Sequence, residues 1–173
     1  MIAILALSPI MILIAFLIRI EDGHSVFFRQ ARVGLNGRLF QVIKFRSMPV
    51  NTKNVPSAEA GELKVTTIGK ILRRTNLDEL PQLFNILKGD MSVVGPRPAL
   101  ERQKDLYELR DKLGVTKHKP GLTGLAQIKS FDGMSDFEKA RFDAIYCNNI
   151  TFFGDMAIIL RTFGYLLRPP PVY

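Results

Sequence analysis

At 173 residues the chain is sized for one domain with a real core, and 47% hydrophobic against 23% charged residues excludes disorder. A formal charge of +8 points to anionic partners, whether phosphorylated ligands, lipid headgroups or nucleic acid. The one cysteine, Cys147, excludes an intrachain disulfide framework, and two histidines far apart, His24 and His118, leave no Cys/His zinc site; a hard cation held by carboxylate and phosphate oxygens stays open.

The first element is "MIAILALSPIMILIAFLI", Met1 to Ile18, with no charge before Arg19. As a helix it would be about 27 Å long, near the lower limit for crossing a hydrocarbon core of about 30 Å. It has neither a basic leader nor a small-residue cleavage site, so a signal peptide fits poorly. One reading is a single span oriented by the Lys/Arg excess that follows. Another is a re-entrant hairpin bent at Ser8-Pro9. Pro9 lacks an N–H and crowds the carbonyl of Leu5, while the Ser8 hydroxyl can bond back one turn and lower the cost of broken backbone bonding in lipid. A buried soluble helix is the third.

"EDGHSVFFRQARVGLNGRLFQVIKFRSM" predicts two strands joined by a tight turn, with Asn36-Gly37 supplying the positive φ. Alternation puts Phe40, Val42, Lys44 and Arg46 on one face of the second strand and Leu39, Ile43 and Phe45 on the other. Residues 49–66 are polar and turn-rich, the signature of a mobile loop. "TIGKILRRT" predicts a short basic helix. Leu80, Leu83, Phe84 and Leu87 then fall at i, i+3, i+4 and i+7, an amphipathic helix that Gly89 ends. "GPRPALERQKDLYELRDKLG" gives a rigid turn and a charged surface helix, and "KHKPGLTGLAQIKS" a loop and short strand. Ser135 and Glu138 form a capping box for the helix that follows. The last helix, "GDMAIILRTFGYLLR", is apolar around most of its circumference; it is either core or lies in the headgroup layer with Arg161 and Arg168 reaching outward, and Pro169 to Pro171 stop it. The fold class is α+β, mostly helical, with a small β-hairpin and amphipathic interfacial helices.

Asp78 and Glu79 stand at the start of the striped helix. They fit a cap, as Asn76 with Glu79 or Thr75 with Asp78. They also fit catalysis. A helix start surrounded by Arg73, Arg74 and Lys88 would dock an anion, and an ionised carboxylate there can attack phosphorus, with Glu79 helping to hold a divalent cation. "VGPRP" locks Arg97 between Pro96 and Pro98, either as a solvated turn arginine or as a preset fork for a phosphate. "KFRSM" supplies Lys44, and "KPGLTG" is a glycine-rich loop without Walker spacing. Nucleic acid is not an expected partner, since the chain has no tryptophan to interleave with its basic residues.

In order along the chain, "LSP", "FRQARVG", "KFRSM", "LRRTNLDELPQLFNILKGDMSVVGPRP" and "KPGLTGLAQI" resemble the monotopic phosphoglycosyl transferases, the bacterial sugar transferases, over nearly the whole length. The resemblance implies transfer of a sugar phosphate from a UDP-sugar donor to a polyprenol phosphate acceptor such as undecaprenyl phosphate, by a two-step covalent route with Mg2+. It implies Asp78 as nucleophile, Glu79 as its partner, and the two as the metal ligands. It assigns Lys44, Arg73 and Arg97 to the phosphates, Pro96 and Pro98 to the shape of the arginine turn, and Ser8-Pro9 to the kink of a re-entrant helix. Residues 1–20 would anchor the chain in the bacterial inner membrane, with 21–173 as a catalytic domain on the cytoplasmic face; a homo-oligomer is left open. The pattern departs from the family in three places. Only seven residues precede Ser8, Leu125 stands where an aromatic is common, and the segment after Ser130 diverges. With no multi-span segment before Ser8, the sequence corresponds to the family's minimal catalytic form. Two other readings are a direct, non-covalent transfer with Asp78 as base or metal ligand, and a basic membrane-surface module without chemistry.

Overall fold

The structure, a computed structural model, describes residues 2–50, 52, 65–129 and 134–166. Most of the expected 49–66 loop, and the prolines after the last helix, lie outside the described residues.

Helix α1, Ile2–Asp22, runs through Pro9 as one element, and the Ser8 hydroxyl donates to the Leu5 carbonyl at 2.8 Å. That is the back-bond expected beside a proline that offers no N–H. Met11, Ile14 and Ile18, spaced i, i+3 and i+7, pack on Phe45 and Leu72. The rest of the helix stays open, with Leu5 and Ile12 both 69% exposed. Ala3–Asp22 is long and apolar enough to cross a membrane, yet only 17% of its apolar window is buried. A soluble core helix would bury most of that surface.

Strands β1, Phe27–Val33, and β2, Leu39–Phe45, pair antiparallel from Phe27 opposite Phe45 to Val33 opposite Leu39. The connection is wider than the tight turn expected. Residues 34–38 form it around a 3-10 turn, with Asn36 at φ 52° and Gly37 at φ 77°, and it closes through the Gly34 N–H on the Arg38 carbonyl. The positive φ values fall on the two residues best suited to them.

Helix α2, Thr67–Thr75, starts on a Thr66 side-chain cap. The Glu21 carboxylate, at the end of α1, also accepts the N–H groups of Thr67 and Ile68 at 2.6 and 3.0 Å. An anion at a helix start is favourable, and here it ties α1 to α2. A Cβ on Gly69 would strike the backbone of Ser47, so α2 sits directly against the chain leaving β2.

One expectation about the next stretch needs correction. The acids do not open an α-helix: Asn76 turns left-handed at φ 53°, and Leu77–Glu79 form a 3-10 turn without a side-chain cap. Helix α3, Gln82–Lys88, begins after Pro81 and ends at Gly89, φ 85°. It is amphipathic as expected, with part of its apolar side left open. Phe84 and Leu87 of the apolar stripe are 37% and 59% exposed, while Gln82 and Asn85 are buried.

Strand β3, Ser92–Val94, pairs in parallel with β4, Gly121–Thr123. Between them lies α4, Lys104–Lys112. Leu125–Lys129 form a short helix, α5, where the sequence suggested only loop and strand. Helix α6, Asp136–Cys147, carries the expected capping box, and α7, Phe152–Leu166, follows. Val94, Val115, Ala144, Tyr146 and Ile158 form the core beneath β3. On α7, Phe153, Leu160 and Phe163 remain 83%, 67% and 62% exposed.

Candidate active site

Three elements meet at Glu79. Lys44, near the end of β2, donates to its Oε1 at 2.7 Å. Arg97, from the turn after β3, donates to the same oxygen at 2.9 Å. Arg73 leaves the last turn of α2 toward the Met48 sulfur, 3.8 Å away, and its charge acts on Asp78. So Lys44, Arg73, Asp78, Glu79 and Arg97 form one cluster, with three cations around two carboxylates. Lys88 does not belong to it, lying at the far end of α3 beside Asp90, and Arg74 is exposed in the last turn of α2. Ser8 and Pro9 belong to α1.

The capping reading of the acids fails because their 3-10 turn has no side-chain cap and Glu79 is committed to Lys44 and Arg97. Their electrostatics diverge. Removal from water pushes the Asp78 carboxyl up to about 6, helped by the neighbouring Glu79 charge and opposed by Lys44, Arg73 and Arg97. Burial also works against ionised Glu79, but Arg97 and Lys44 outweigh it and hold that carboxyl well below the usual range. Two adjacent acids thus become a fixed anion and a basic carboxylate that is still mostly ionised at neutral pH. Such a split is what a site with one anchoring acid and one reactive acid requires.

The rest of the frame was not legible as a site. Buried Asn85 donates to the Gln41 carbonyl at 2.7 Å and accepts the Ile43 N–H at 3.0 Å. It occupies the open edge of β2 at Gln41 and Ile43, the residue before Lys44. In "KPGLTG" the Gly121 N–H is taken up by backbone. Gly121 N–H goes to the Pro96 carbonyl at 2.9 Å, and the Gly95 N–H goes to the Thr123 carbonyl. Gly95, Gly121 and Gly124 crowd one another so closely that a Cβ on any of them would meet backbone. The loop is a support for the arginine turn. Pro96 and Pro98 are buried and Arg97 is exposed between them, as the sequence predicts for a projecting guanidinium.

Among the described residues no three His, Cys, Asp or Glu side chains gather into a metal cluster. Asp78 and Glu79 therefore do not fit an all-protein cage. They do fit magnesium, which keeps several waters and is held by one or two carboxylates together with substrate phosphates. Because Glu79 already carries two cations on one oxygen, Asp78 would be the freer of the two to take such an ion.

The family model for bacterial sugar transferases matches residues 1–169. The exopolysaccharide production protein ExoY of Sinorhizobium fredii is 37% identical over 92% of this chain and 78% of its own length. A UDP-glucose:undecaprenyl-phosphate glucose-1-phosphate transferase of Caulobacter vibrioides is 37% identical over 96% of this chain and 66% of its own. An undecaprenyl-phosphate galactose phosphotransferase of Salmonella typhimurium is likewise 37% identical over 100% of this chain, but the match takes in only 39% of that longer protein. The chain belongs to the bacterial sugar transferase family and is an enzyme of the phosphoglycosyl transferase kind.

Proposed function

We propose that this enzyme transfers a sugar-1-phosphate from a UDP-sugar to undecaprenyl phosphate or a related polyprenol phosphate, releasing UMP, as an opening membrane step of polysaccharide or glycoconjugate assembly. The substrates named for the relatives support the two partners. The observation that carries the chemistry is the split between Asp78, raised toward neutrality, and Glu79, locked as an anion by Lys44 and Arg97.

In the first step an Asp78 oxygen bonds to the sugar-bearing phosphorus of the donor. The bond from that phosphorus to the bridging oxygen breaks, and its electron pair leaves on UMP. In the second step an oxygen of the polyprenol phosphate attacks the same phosphorus, forming the lipid diphosphate and returning the electron pair to Asp78. Lys44, Arg73 and Arg97 hold the phosphate oxygens and neutralise charge as the attacking carboxylate approaches. Asp78, with Glu79 beside it, would hold magnesium, which when bound would supply further screening of the phosphates. Labelled UMP should exchange into a UDP-sugar, drawn from a panel, without lipid acceptor. Absence of exchange in an enzyme that still turns over would replace the covalent route by direct transfer.

The donor is water-soluble and the acceptor is membrane-bound, so the reaction belongs at the interface. The open apolar surfaces of α1 and α7 and the exposed Phe84 and Leu87 of α3 support a domain seated in one leaflet. With α1 bent at Ser8-Pro9 so that it enters and leaves one leaflet from the cytoplasmic side, both ends of the chain would face the cytoplasm. A cysteine placed at Ala3 should then resist membrane-impermeant maleimide in intact cells; labelling from outside would restore a plain span.

A further inference from the structure

The Pro96-Arg97-Pro98 turn poses an accounting problem. Its two prolines have no N–H, so the turn has three carbonyls and one donor of its own. The carbonyls are met from three separate elements. Gly121 N–H serves Pro96 at 2.9 Å, Arg110 Nη1 serves Arg97 at 2.8 Å, and Arg32 Nη1 serves Pro98 at 3.1 Å. Each arginine is itself oriented. Arg32, on β1, gives its other nitrogens to Gln30 Oε1 at 3.0 and 2.6 Å. Arg110, on α4, gives Nε and Nη2 to Asp143 of α6 at 2.9 and 2.6 Å. Arg110 and Asp143 are only 7% and 1% exposed.

A buried ion pair is weak evidence of stabilisation, because taking both charges out of water offsets most of their attraction. The pair here does something an apolar pair of equal volume could not: its third donor fixes a backbone carbonyl at the base of Arg97. We infer that Arg110, aimed by Asp143, and Arg32, aimed by Gln30, are positioning residues that clamp the backbone of the arginine turn and so set where the Arg97 guanidinium meets the donor's phosphates. Neither touches the reacting atoms; both act through Arg97. The inference rests on the reading of Arg97 as a phosphate-holding residue.

Arg110 gives the cleaner test, since the Arg32 charge also acts on Arg97 and Glu79. Arg110→Met with Asp143→Leu removes both charges at similar volume and should leave thermal stability near wild type. Turnover of the UDP-sugar should nonetheless fall about 100-fold, the scale of a misplacement near 1 Å. Made together with Arg97→Ala, the same pair should add less than about a twofold further loss, because its effect passes through the missing guanidinium. Arg110→Lys is the second variant. It keeps a cation against Asp143, but one ammonium cannot replace the fork that spans Asp143 and the Arg97 carbonyl. It should melt like wild type, lose turnover on the same scale, and decide the matter should the apolar pair unfold. Wild-type turnover in a folded Arg110→Lys enzyme, or an equal loss with and without Arg97, would overturn the clamp. If Arg97→Ala alone leaves turnover unchanged, the role given to Arg97 fails first, a different result.

Discussion

Asp78→Asn should abolish UDP-sugar turnover and UMP exchange, a loss of roughly 10⁴-fold or more, while raising the thermal stability of the enzyme at neutral pH. The two effects have one cause. Asp78 is ionised in a place that disfavours ionisation, which keeps its electron pairs reactive and costs folding free energy. For the sign, its folded value of about 6 lies above the ordinary 3.8. The stability present below the ordinary carboxylate range is therefore lost as pH rises through about 6, so that ionised Asp78 works against folding at pH 7. Asparagine keeps the shape without the charge. The melting-temperature difference between variant and wild type should thus widen from pH 4 to pH 7. Enzyme quenched with donor should carry the phosphosugar on the Asp78 peptide and not in the variant. Retained turnover in Asp78→Asn, or an adduct on another side chain, would remove the nucleophile from the mechanism.

What the sequence made legible was local. Asn36-Gly37, the stop at Gly89, the Ser135–Glu138 box and the basic helix Thr67–Thr75 all depend on neighbours within one or two turns, and they formed as their chemistry requires. The acids were recognisable as a pair, and Arg97 as a projecting cation. Their meeting with Lys44 was carried by family resemblance, because a contact 35 residues apart has no local signature. The stripe at α3 told which residues share a face but not which face meets the protein: Asn85 and Gln82 pack inward while Phe84 and Leu87 face outward, because the buried amide of Asn85 is satisfied by the edge of β2. "FRQARVG" was conspicuous, yet nothing in it announces that Arg32 will reach a carbonyl 66 positions away.

Glu79→Gln should cost roughly 10²–10³-fold in turnover and move the acid limb of the pH–rate profile in a direction that identifies its role. In the wild type one Glu79 oxygen holds both Lys44 and Arg97. A neutral amide releases these cations toward the only other carboxylate in the cluster. Asp78 then loses a neighbouring negative charge and gains two closer positive ones, and both changes lower its pKa from about 6. The wild-type limb, set by ionisation of Asp78 near 6, should shift to lower pH in the variant even as the plateau rate falls, since a carboxylate paired with cations attacks less readily. Stability should fall too. The Glu79 value is depressed, so its contribution is present above the ordinary carboxylate range and lost only in strong acid, and glutamine forfeits it at neutral pH. Asp78→Asn and Glu79→Gln should therefore move the melting temperature in opposite directions while both suppress turnover. An acid limb that stays near 6 in Glu79→Gln would mean that Asp78 does not sense the Glu79 charge. An unchanged plateau would mean that Lys44 and Arg97 need no anion to hold them for the phosphate.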